Sequence, residues 1–194
     1  MDKSIFTLGG TAWINLVNTT NISNNKEVDI LSDKSSTLQW IKENNLLRQS
    51  DAIDLENKEL INSLIIELHS LRKLCNIILF DIEQKGEVSL NATNQLKKIV
   101  EKLKVNITIN SENNILVMVS EGETVEDQVL YNIIGSIIHT LENTSIDRIR
   151  NCEHEECILY FVDTSKSGKR RWCSMELCGN RKKAAEFYAK KKKK

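Results

Sequence analysis

Four residues separate Cys152 from Cys157, four more separate Cys173 from Cys178, and fifteen lie between the two pairs. Thiolates presented two at a time from short loops can converge on one tetrahedral soft ion, so this spacing points to zinc rather than to four unrelated buried thiols. Four sulfur ligands leave no open position for water, and the ion expected is structural rather than catalytic. His154 lies inside the first pair and is either a substitute for one thiolate or a loop histidine facing solvent. A redox dithiol fits poorly, because such pairs usually hold two intervening residues beside a βαβ pattern. The fifth cysteine, Cys75, falls on an apolar helical stripe and reads as a core thiol.

Basic residues crowd around the cysteines. Lys169, Arg170 and Arg171 precede the second pair, Asn180, Arg181, Lys182 and Lys183 follow it, and Arg148 and Arg150 lead into the first. Arginine and lysine neutralise phosphates, while arginine and asparagine also read base edges. Alternatively, Asn180 and Arg181 brace the metal loop by bonding backbone carbonyls. The whole chain balances 27 basic against 27 acidic residues, yet from Thr164 onward twelve basic residues meet only Glu176 and Glu186. That local net of +10 leaves −10 on the first 163 residues, an asymmetry expected of a nucleic-acid-facing end on an acidic body. The run Lys190 to Lys194 adds a non-specific electrostatic arm that cannot specify sequence.

The elements that position these residues follow from periodicity. Trp13, Leu16 and Val17 predict a short helix after Gly9-Gly10, with Thr11 as its cap, and the asparagine-rich stretch from Asn18 to Lys26 predicts a loop. A second helix is expected from Ser35 to Leu46, capped by hydroxyls and ended by Asn44-Asn45. The longest helix is expected over Leu55 to Glu83, and a shorter one from Ser89 to Lys104 with Leu96, Ile99, Val100 and Leu103 facing inward. Val105 to Ile109 and Ile115 to Val119 predict a β-hairpin, and Val125 to Leu141 a deeply buried helix, with Ile138 on its apolar side. Beyond Asn143, a strand at Ile158 to Asp163, a turn, and a return strand at Lys169 to Trp172 are expected, then a helix capped by Ser174 whose first turn presents Cys178.

With no proline and 40% hydrophobic residues, helix should dominate. The fold class expected is mainly α with a β-hairpin (α+β) over 1–145, followed by a small treble-clef-like zinc finger of β-hairpin plus helix over 146–194, including the basic tail. A unit of that size buries too little to fold firmly alone, and metal ligation supplies roughly 10 kcal/mol or more. No apolar run reaches about eighteen residues and no secretory signal pattern is present, so a cytoplasmic protein without membrane association is expected. A reducing compartment also suits free thiolates. No Ser-His-Asp set, phosphate loop or paired carboxylates stand out, and His69 and His139 read as ordinary helix residues, so no enzyme is expected.

The tetrad Cys178-Gly179-Asn180-Arg181, with all four cysteines in place, resembles the CGNR zinc-finger family over roughly Ile149 to Tyr188. Leu16-Val17-Asn18-Thr19 and the helix containing Leu38-Gln39-Trp40-Ile41 resemble pieces of the ABATE-type domain that accompanies this finger in bacterial proteins. The resemblance implies a stress-associated transcription regulator with a DNA-binding finger. Ala12-Trp13-Ile14-Asn15 departs from the usual Leu-x-Leu-Asp, so a role for Asn15 does not carry over, whereas Asn18 does, as a ligand contact or a helix-end cap. The function expected is therefore a DNA-binding regulator whose body senses a small-molecule effector or forms a homodimer. An RNA-binding or protein-interaction module is the alternative, favoured if Tyr160, Phe161, Phe187 and Tyr188 are exposed beside the basic residues.

Overall fold

Buried tryptophans organise the body. The computed structural model describes residues 4–23, 26–52, 58–112 and 114–192. Helix α1 (Ala12–Val17) carries five consecutive buried residues, Trp13 to Val17. Helix α2 (Lys34–Glu43) contributes Trp40 and Ile41, both fully buried. Helix α3 (Lys58–Lys85) runs the length of the core with Leu64, Leu68, Leu71, Cys75 and Ile78 on one stripe, as its spacing predicts. Its expected start at Leu55 lies outside the described residues. Helices α4 (Leu90–Val100) and α5 (Val125–Asn143) complete the layer. Trp13 joins α1 to α5 by donating its indole N–H to the Thr140 hydroxyl at 3.0 Å.

Several local expectations change in the fold. Thr11 occupies the cap position of α1 but makes no side-chain cap bond, and its buried hydroxyl has no partner among the described residues; Ser136 of α5 instead accepts the Trp13 N–H at 3.5 Å. Asp33, not a hydroxyl residue, caps α2, accepting from the Ser36 N–H at 2.8 Å and hydroxyl at 2.7 Å, which holds its carboxyl below the usual range. The expected loop after Asn18 is instead a hairpin, β1 (Thr20–Ser23) antiparallel to β2 (Lys26–Asp29). Its base is fixed from a distance: Arg72 of α3 forks onto Asp29 with bonds of 2.7 and 2.6 Å and also reaches the Thr19 hydroxyl. Such long-range pairing overrides turn-forming composition. In α4, Ala92 and Leu96 are buried while Val100 is exposed, and in α5 Ile138 is exposed, so both helices leave an apolar edge uncovered.

Strands β3 (Val105–Glu112) and β4 (Ile115–Gly122) form the expected hairpin, longer than its sequence core. Its base is seated on α5. Gln128 accepts the Gly122 N–H at 2.7 Å, and Thr124 and Asp127 close a capping box at the helix start. From that base toward the turn, β4 passes from buried to exposed.

The C-terminal segment opens with β5 (Ile149–Asn151), which pairs antiparallel with β6 (Tyr160–Val162). This corrects the expected partner of the apolar strand. Lys169 to Trp172 form no strand, because their backbone groups go elsewhere: Asp163 accepts the Arg170 N–H, and the Arg171 carbonyl accepts from Glu153. A π-helical turn at Met175–Gly179 leads into α6 (Asn180–Lys192). Among the described residues no helix is long and apolar enough to cross a membrane.

Candidate metal centre and its basic rim

The strand pair β5–β6 holds the first two cysteines between its strands. Cys152 donates its N–H to the Leu159 carbonyl at 2.9 Å, extending the ladder, and the Cys157 N–H closes a turn onto the His154 carbonyl at 2.9 Å. Cys173 and Cys178 flank the π-helical turn, where Ser174 caps the Leu177 N–H with its hydroxyl at 3.3 Å. The Ser174 carbonyl accepts both the Cys178 and Gly179 N–H groups, at 3.0 and 3.1 Å. These two N–H groups at the helix start are therefore directed to Ser174 rather than to sulfur. Direct N–H support reaches sulfur at Cys152, from the Cys173 N–H at 3.4 Å, and at Cys157, from Leu159.

All four Sγ atoms lie within 4.8 Å of one another. The Cys157–Cys173 and Cys173–Cys178 separations are 3.7 and 3.6 Å. Ligands about 2.3 Å from a tetrahedral zinc are about 3.8 Å apart, so the donor set fits a metal of zinc's size and softness. His154 is not part of the cluster; its Nδ1 accepts the Glu156 N–H at 3.2 Å. Hydrogen bonding among the thiols splits their acidities. Cys152 is pulled down, first by its bond with Cys157, whereas Cys173 is pushed up, first by Cys152. Four thiolates this close need a cation before all can ionise. Cys75, fully buried in α3, has its thiol pushed up to about 12 by desolvation and stays inert.

Around the cluster packs a small apolar core of Leu8, Leu159 and Phe161 with Trp172 partly buried beside them. Gly179 fits this packing because a Cβ there would lie 2.4 Å from the Met175 sulfur and 2.6 Å from the Trp172 ring. The glycine of the tetrad is thus a packing residue.

The residues of the basic region divide into three groups. Arg148 bonds the carbonyls of Asp163 and Ser165 at 3.1 and 2.6 Å, and Arg150 bonds those of Asp147 and Arg170. Arg170 stacks 4.4 Å above the Phe161 ring and donates to the carbonyls of Trp172 and Cys173. These three arginines brace the loop between the cysteine pairs. Arg171 stacks on Trp172 at 4.3 Å and pairs with Glu153 at 2.6 Å, while Lys182 pairs with Glu155. Lys169, Asn180, Arg181 and Lys183 are exposed, and among the described residues their side chains make no hydrogen bond or ion pair. Lys169 to Trp172, Met175 and Lys183 enclose an open cavity of about 360 Å³.

Asp163 was missed by sequence reasoning. Almost fully buried, it accepts the Ser165 and Arg170 N–H groups, both at 2.9 Å, and so sets the path of the loop. Burial alone would raise its carboxyl; these bonds and the Arg148 charge outweigh it and hold it below the usual range. The available signal was a lone aspartate ending an apolar strand before Thr164-Ser165.

Asn18 is the C-cap residue of α1, as one of its two expected roles has it, donating its N–H to the Ile14 carbonyl at 3.0 Å, and its side chain has a further place. Its side chain bonds both backbone groups of Tyr160, donating to the carbonyl at 2.8 Å and accepting the N–H at 2.9 Å. Gly9 adds its carbonyl to the Val162 N–H at 2.9 Å, and Ile149 and Val162 pack into the main core. Tyr160 completes the seam: burial and Glu83 of α3 push its phenol up to about 12. The finger is therefore docked on the body through β6. Asn15 serves the same region, accepting the Gly9 N–H at 2.7 Å.

Residues 148–191 match the family model of the CGNR zinc finger. No curated protein matches the chain.

Proposed function

We propose that this protein is a DNA-binding regulator of transcription, stress-associated as its family resemblance implies, whose structural zinc holds a treble-clef-like finger against duplex DNA. The observation that carries the reading is the basic rim: Lys169, Arg171 and Lys183 border one cavity beside the cysteine cluster, with Arg181 exposed on the same helix. A bound zinc would supply folding free energy and neutralise the thiolates. Arg148, Arg150, Arg170 and Asp163 then hold the loop that presents Lys169, while Arg171 and Lys182 exchange their partners Glu153 and Glu155 for phosphate. Phosphate contact falls to Lys169, Arg171, Lys182 and Lys183, and base contact, if sequence is read, to Asn180 and Arg181.

The body is proposed to be an ABATE-type domain with a regulatory role, sensing an effector or pairing two copies. Its support is that the Val17-Asn18-Thr19 piece is the part that grips β6, so a change in the body has a direct route to the finger. A cytoplasmic, non-catalytic protein is consistent with this reading.

A second reading has one observation in its favour. Phe187 and Tyr188 are 63% and 64% exposed on α6, edge to face at 5.7 Å, between Arg181 to Lys183 and the lysine run. Exposed aromatics among cations suit single-strand stacking. Phe161, by contrast, is fully buried. The discriminating experiment compares Lys169→Ala/Lys183→Ala with Phe187→Ala/Tyr188→Ala on duplex DNA and on single-stranded RNA. The duplex reading expects the lysine pair to cost at least about tenfold on DNA and the aromatic pair to cost little. The reverse pattern on RNA overturns it.

A further inference from the structure

The β3–β4 hairpin carries more exposed apolar side chain than a monomer needs. Strand alternation places Val105, Ile107, Ile109, Leu116 and Met118 on one face, with Ser111 and Ser120 between them. Four of these are about two-thirds exposed or more: Ile107 67%, Ile109 69%, Leu116 75% and Met118 71%, with Val105 at 36%. The opposite face is more mixed, carrying Asn106, Thr108 and Asn110 on β3 and Glu121 on β4 beside Val117, 37% exposed, and Ile115, 65% exposed. The first face thus presents a contiguous strip of roughly 550 Å², near the upper end of what monomeric proteins leave open.

We propose that this face is the contact between two copies of this chain. It determines how the body would pair copies in the reading above, and since its test involves no nucleic acid, the two can fail separately. The argument for a second copy is threefold. No charged residue stands on the face in the register from Val105 to Gly122, so it offers nothing for an oppositely charged partner to recognise, while an apolar face is its own complement. The cross-strand pairs Ile107–Ser120 and Ser111–Leu116 flank Ile109–Met118, giving alternating large and small positions of the kind a two-fold related copy can interdigitate with. Stacking two such strips buries roughly 1,100 Å² in total, above the ~1,000 Å² that separates specific interfaces from incidental ones.

The hairpin is also held as a rigid arm. Gly122 is bonded to Gln128 at its N–H and to Arg48 at its carbonyl, and Glu123 donates to the Lys104 carbonyl at 2.8 Å. Its base cannot fold down without breaking these bonds, which leaves the strip facing outward.

The test is the mass of the full chain in solution by equilibrium sedimentation with zinc present. The expected result is a dimer of twice 22.2 kDa. Ile107→Lys/Met118→Lys should weaken it at least about a hundredfold, because each lysine must be desolvated or the faces parted. Thr108→Lys/Asn110→Lys, on the opposite face, should leave it unchanged. Both pairs alter exposed positions, so unchanged circular dichroism is expected. Should Ile107→Lys/Met118→Lys fail to fold, Leu116→Glu reads the same face. A 22.2 kDa monomer at up to about 100 µM, or a dimer indifferent to both face variants, overturns the proposal.

Discussion

Replacing Asn18 by alanine removes both bonds that tie the finger strand to the body. Tyr160 then keeps neither partner for its N–H nor for its carbonyl, at a seam where Asn18 itself is only 3% exposed. A buried backbone group left unpaired costs about 1–3 kcal/mol, and with water able to enter the space vacated by the amide, the pair together should cost about 2–4 kcal/mol. A chain of this size has a urea dependence of about 2 kcal/mol/M, so the midpoint should fall by about 1–2 M. The assay is urea unfolding followed by circular dichroism and tryptophan fluorescence, with zinc held saturating so that metal loss does not shift the baseline. Asn18→Asp should not rescue, since it keeps the acceptor for the Tyr160 N–H but turns a second oxygen toward the Tyr160 carbonyl. A loss below about 0.5 kcal/mol, the range of an ordinary surface position, would refute the clamp.

Cys173→Ser should lower bound zinc from one ion per chain to well below one, read by metal analysis after dialysis, while Cys75→Ser leaves it unchanged because that thiol sits in the α3 core. Gly122→Ala should destabilise by about 3 kcal/mol or more, since its Cβ would lie 2.2 Å from the Gln128 backbone nitrogen. Gly135→Ala, with nothing within 4 Å, should instead raise stability by about 0.5–1 kcal/mol; thermal melts decide both. Asp29 is held below its ordinary value of 3.8, first by its hydrogen bond from Arg72. A depressed carboxyl contributes stability above the unfolded value and loses it as pH falls through the lower folded one. Asp29→Asn should therefore trail the wild type by a constant margin near neutral pH, with the gap closing below about pH 4. A gap that persists in acid would show that the Arg72 pair is not its source.

The convergence of the four cysteines was legible because ligand chemistry is written in residue type and spacing, and paired cysteines leave few alternatives. The helices were legible for a related reason: the apolar stripe of α3 repeats over several turns, and no proline interrupts it. What composition hid was long-range. The β1–β2 hairpin exists because Arg72, more than forty residues away, grips Asp29 and Thr19. The partner of β6 was misassigned because a strand at Lys169 to Trp172 is locally reasonable, whereas Asp163 diverts that segment into a loop. The basic residues were found as a group, but not their division of labour. Nothing local distinguishes Arg170, stacked on Phe161 and bonded to carbonyls, from Lys169, which projects into solvent. Likewise, Asn18 was legible as the cap of α1, but not as a clamp, because its side chain's partner, Tyr160, is far away in sequence.

Binding of the zinc-loaded protein to duplex DNA and to matched RNA across a salt series, with a chain ending at Ala189 as control for the lysine run, tests the central claim most directly. Three to four phosphate contacts from Lys169, Arg171, Lys182 and Lys183 predict a slope of log affinity against log salt of about −3 to −4, retained in the shortened chain and stronger on duplex DNA. Binding that vanishes with the lysine run, or that is absent in both chains, would contradict the account and leave the finger as a scaffold docked on the body.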